Sequence, residues 1–97
     1  MKVSLEVRPA GATVYYVSDY TFRATARLGL GAIRDVDKNW NQFGRIGNQR
    51  TQPKKVPMSG KVRFYAIWPN GREEIRLVDL GLPESPDSAS VVSIRAL

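Results

Sequence analysis

The side chains of this chain that can do chemistry are cations and aromatic rings. It holds no histidine and no cysteine, which removes the commonest general base and thiol nucleophile and leaves no thiolate for a metal or a disulfide. Carboxylates remain, but only Asp35 with Asp37 and Glu73 with Glu74 lie close in sequence. Neighbours on a strand point to opposite faces, and aspartates at a helix start act as caps, so neither pair reads as an acid/base couple or a metal site. The expectation is a binding protein, not an enzyme, with no cofactor and no metal.

The cations are numerous and unevenly placed. Fifteen Lys and Arg stand against nine Asp and Glu, a net charge of +6. From Arg23 to Arg63 there are ten basic residues and two acidic ones, whereas from Phe64 onward the balance is three against five. A surplus concentrated in under half of a chain points to a polyanionic partner, since charge spread evenly would serve solubility alone. Most of the cations are arginine, whose planar fork binds phosphate in bidentate fashion and stacks on bases. The candidate nucleic-acid-binding residues are Arg23, Arg27, Arg45, Arg50, Lys54, Lys55 and Arg63. Aromatic faces stack unpaired bases. Of Tyr15, Tyr16, Tyr20, Phe64 and Tyr65, the candidates for that role are Tyr16 and Tyr20. The reading is a small basic module for nucleic acid, single-stranded DNA or RNA preferred. The rival, from another class, is a protein-interaction module: a small phage or viral structural component, or an inhibitor docking on the acidic surface of a larger complex.

These side chains need elements to hold them. At 97 residues the chain makes one domain, 1–97, whose fold must stand on packing. No apolar run is long enough to span a membrane, and the first residues lack the basic-then-apolar order of a signal peptide. The expected setting is the cytoplasm, or the virion for a viral protein, with no membrane partner.

The strongest structural signal is residues 61–82, read as a β-hairpin. Pro69 and Asn70 suit the corners of a type I turn, and Gly71 suits the left-handed residue of a G1 bulge. This fixes the register: Tyr65 opposite Ile75, Arg63 opposite Leu77, Phe64 opposite Arg76, Val62 opposite Val78. Tyr65, Ile67, Ile75 and Leu77 then share one face and Val62, Phe64, Val78 and Leu80 the other, so the ribbon is expected in the middle of a sheet covered on both sides.

Residues 2–8 alternate cleanly, with Val3, Leu5 and Val7 on the buried face, and 13–17 is a β-branched and aromatic strand. Residues 21–28 allow two readings, a helix capped by Ser18 or Asp19 and favoured by its alanines, or a strand with Phe22, Ala24, Ala26 and Leu28 inward and Arg23 and Arg27 outward. The strand is the one expected, because a helix would set Phe22 and Leu28 on different faces. The one short helix is expected over 35–44, near Lys38, with Val36, Trp40 and Phe43 on one side and Gly44 ending it. Trp40 would be its packing plug. Residues 45–58 have no period and read as a flexible basic loop. Residues 83–90 form a polar connector, and 91–97 a last strand whose exposed edge offers a route to a homo-oligomer. The predicted fold is mainly β: a small antiparallel barrel or sandwich of five or six strands with at most one short helix.

Overall fold

The computed structural model describes residues 2–29, 40–47, 51, 54–56, 60–81 and 89–96. The elements are β1 (Lys2–Arg8), β2 (Thr13–Ser18), α1 (Asp19–Ala26), β3 (Asn41–Arg45), β4 (Lys54–Lys55), β5 (Lys61–Ile67), β6 (Glu73–Asp79) and β7 (Ala89–Arg95). They form two sheets, of order β4-β1-β7 and β3-β2-β5-β6. The architecture is a mainly β sandwich and not a closed barrel. Seven strands stand where five or six were expected, β4 being only two residues long.

The hairpin has the register its turn dictates. Tyr65 pairs with Ile75, Arg63 with Leu77, Phe64 with Arg76 and Val62 with Val78. Gly71 sits at φ 88°, where a side chain would be strained. Its N–H donates to the Trp68 carbonyl at 3.0 Å, and the Trp68 N–H reaches the Arg72 carbonyl at 2.9 Å. The ribbon was expected in the middle of a sheet covered on both sides, but β6 is an edge strand and Leu77 is 46% exposed, so only one face is fully covered. Val62, Phe64, Val78 and Leu80 join Val3, Leu5, Val7, Val92 and Ile94 in the core between the sheets. On the other face Tyr65, Ile67 and Ile75 pack with Val17, Trp40 and Phe22. Trp68 is buried, and its indole N–H donates to the Pro9 carbonyl at 2.6 Å, which satisfies its one polar atom.

Three further expectations are corrected. Residues 21–28 are not a strand, because α1 occupies Asp19–Ala26. Ser18 caps the helix, its hydroxyl accepting from the Thr21 N–H at 3.2 Å, and Asp19 pairs with Arg23 one turn on. The alternation misled because Phe22 is the only one of its four inward residues that packs; Ala24, Ala26 and Leu28 are exposed. A good cap and alanine propensity outweigh a period carried by small residues.

The helix expected over 35–44 gives way at its C-terminal end to β3, while 35–39 lie outside the described residues. A helix would set Trp40 and Phe43 on one side. Instead Phe43 enters the core between the sheets and Trp40 the cluster on the opposite face. Pairing with β2 shifts between Val14 and Tyr15, so Phe43 is the extra residue of a bulge, and Gly44, at φ 131°, serves that bulge and not a helix end. Finally, the sheets are not wholly antiparallel: β7 runs parallel to β1, Lys2 beside Ala89 through Arg8 beside Arg95. The two strands stand at opposite ends of the chain, so no short turn forces them antiparallel.

Candidate nucleic-acid interface

The outer face of the four-stranded sheet carries most of the candidate chemistry, and the bulge explains one part of it. Because Phe43 is extra, Arg45 falls opposite Thr13 and shares the face of Thr13 and Tyr15 instead of following Phe43 inward. Arg45 is exposed and its side chain bonds to no described residue. With Gly11, Thr13, Tyr15, Ile67, Trp68 and Pro69 it lines an open cleft of about 400 Å³. Half-buried Tyr15 stands between Gln42 and Tyr65.

At the other end of β2, α1 presents a second basic surface. Tyr20, Arg23, Ala24 and Arg27 recur at helical spacing on its outer side and line a cleft of about 230 Å³. Tyr20 is 80% exposed. Arg23 is partly spoken for by Asp19 at 3.2 Å, whereas Arg27 makes no ion pair with a described residue. The first cleft lies at the Thr13 end of β2 and the second on the helix that begins at Asp19, past its other end. Between them Trp40 and Phe22 pack over Val17 and Tyr65.

Two candidates have structural work. Arg63 donates through Nε to Asp19 Oδ1 at 2.8 Å, and its guanidinium covers the Phe22 ring at 4.6 Å. It fastens the helix to β5. The Arg63 hydrogen bond holds the Asp19 carboxyl below its usual range; burial opposes this, and the charges of Arg23, Arg63 and Lys61 add to it. Tyr16 lies against Phe43 and Phe64, both rings 6.4 Å away, and walls the main core. The aromatic neighbour of Arg45 is Tyr15. The parity of β2 was the signal for it: Tyr15 and Tyr16 must face opposite ways, and only one can lie outside.

The remaining candidates sit elsewhere. Arg50 lies outside the described residues. Lys54 donates to the Phe43 carbonyl at 2.6 Å and lies over that ring at 5.1 Å, bridging the sheets, while Lys55 is exposed on the other sheet opposite Lys2. The described part of 45–58 is tied down in several places. Ile46 exchanges hydrogen bonds with Gly11 and Ala12, Thr51 bonds Leu5, and Val56 is fully buried.

The described carboxylates are mostly engaged. Glu6 pairs with Arg8 and Glu74 with Arg76, and Glu73 accepts from the Tyr65 hydroxyl at 2.6 Å. Glu73 and Glu74 thus face opposite ways. Among the described residues no three carboxylates group as metal ligands would, and no helix is long and apolar enough to cross a membrane. The fold and site define a small β-sandwich with an extended Arg- and Tyr-bearing face. Comparison with protein-family models, curated proteins and solved structures finds no match.

Proposed function

We propose that the protein is a binding module for single-stranded nucleic acid, not an enzyme, and that the strand runs along the outer face of the four-stranded sheet. The observation that carries this is the exposed Arg45, unpaired among the described residues, beside half-buried Tyr15 in an open cleft. A guanidinium next to an aromatic edge answers both parts of a nucleotide, the phosphate and the base. Beyond the other end of β2, Arg27, Arg23 and Tyr20 supply a second surface of the same composition. Two such surfaces suit a chain spanning several nucleotides better than a single small anion.

The test is fluorescence anisotropy of labelled single-stranded 20-mers of DNA and RNA at about 50 and 150 mM salt. Y15A should weaken binding roughly tenfold, as loss of one stacked base does, and R45E by more. If the native protein fails to bind either oligonucleotide at the lower salt, the reading falls. The acidic-protein interface then takes its place, to be sought by pull-down with the same variants.

A further inference from the structure

The outer face of the three-stranded sheet is the second strongly charged surface, and no local stretch of sequence announces it. Its cations come from three distant parts of the chain. Lys2 lies directly opposite Lys55 across the β1–β4 pair, and Arg8 lies beside Arg95 across the parallel β1–β7 pair. All four are exposed. Like charges set side by side on a sheet repel, and the fold does little to offset this. Among the described residues on this face the only carboxylate is Glu6, 3.2 Å from Arg8. Lys2, Lys55 and Arg95 make no side-chain ion pair with a described residue. The two like-charged pairs stand six β1 residues apart, about 20 Å.

We infer that this face is a second polyanion surface, fitted to the phosphate backbone of a nucleic-acid duplex, and that one molecule can hold a single strand on one sheet and a duplex on the other. This rests on the single-strand reading for the first sheet only. The chemistry of the second face differs in kind. Its described residues include no aromatic ring, so it has nothing on which to stack an unpaired base. Its exposed apolar residue is Val91, too little to enter a lipid surface. Cations stand at both ends of the face, on either side of Ser4, which is buried and donates to the Thr51 carbonyl, and they answer the dense, regular charge of a duplex, read by position and not by base. The outer faces of a two-sheet sandwich point away from each other, so the two ligands would not compete for space.

The experiment measures both ligands and then bridging. Anisotropy is recorded with a single-stranded 20-mer and a 30-base-pair duplex for the native chain, for K2E/K55E/R95E and for Y15A/R45E. Retention of labelled duplex on beads bearing the single strand is then measured with each protein. The expected result is that K2E/K55E/R95E loses duplex affinity at least tenfold and loses retention, while its single-strand affinity stays within twofold of native. Y15A/R45E should do the reverse in anisotropy. Thermal melts identify a misfolded variant, in which case K55E alone replaces the triple change, because it turns a repelling pair into an attracting one. Equal loss of both ligands in K2E/K55E/R95E overturns the inference, since net charge would then explain it. So does unaltered duplex binding, or binding of poly-glutamate in place of duplex, which would make the face a protein dock. Failure of the single-strand reading is recognised separately, by unaltered single-strand binding in Y15A/R45E.

Discussion

Asp19 shows how a single residue redirects the charge of this protein. Its carboxylate takes Arg63 at 2.8 Å and Arg23 at 3.2 Å, so two of the arginines that the sequence offers to a polyanion are partly or wholly engaged. The same bonds lower its pKa, chiefly the hydrogen bond from Arg63. A carboxyl whose folded pKa lies below its unfolded one contributes stability that is present above the unfolded value and is lost as pH falls through the folded one. D19N should therefore be less stable than native at pH 7. The gap should hold down to about pH 5 and close as pH drops below the ordinary aspartate value of 3.8. Denaturant melts of both proteins from pH 7 to 3 would check this, and a gap independent of pH would show that the ion pair is not its source. Arg63 was legible in the sequence as a cation, but its partner lies 44 residues away, beyond the reach of any local pattern.

At the scale of elements, local chemistry decided some segments and long-range pairing decided others. The 61–82 hairpin was legible because Pro69, Asn70 and Gly71 specify turn and register together. The helix at Asp19–Ala26 was misread because two signals competed, and the cap signal, Ser18 before Asp19, was the stronger. S18A should cost about 1 kcal/mol and lower the melting temperature by about 4–8 °C for a domain of this size; no change in a thermal melt would mean that the cap is not holding α1. Across β1 and β4, Lys2 opposite Lys55 makes a different prediction. K55E should raise stability by about 0.5 kcal/mol by replacing a like-charged cross-strand pair with an opposite one. If calorimetry finds K55E destabilised, the two side chains are not meeting on that face.

At the scale of the whole molecule the basic surplus is distributed over separate surfaces and is not one patch. Arg45 and the α1 arginines stand at opposite ends of one sheet, and Lys55 stands on the other. Single-strand binding should therefore depend on both ends of the first face. For R23E/R27E/R45E the slope of log affinity against log salt should be shallower than native by about 2, at about 0.7 for each phosphate that an arginine no longer neutralises. An unaltered slope would remove these three arginines from the interface.

The sequence by itself determined the β class, the hairpin with its register, the buried face of β1, the two apolar faces of β5, and the segmental excess of positive charge. These follow from side-chain period, turn stereochemistry and composition, all of which act over a few residues. Only the tertiary structure decided that β7 lies parallel to β1, that Phe43 bulges inward and so turns Arg45 toward Tyr15, that Tyr16 is core while Tyr15 reaches the surface, and that Lys2, Arg8, Lys55 and Arg95 share one face. The physical reason is the same in each case. Strand pairing and ion pairing depend on which distant residues meet, and that is fixed by burial of the common core and not by sequence neighbours.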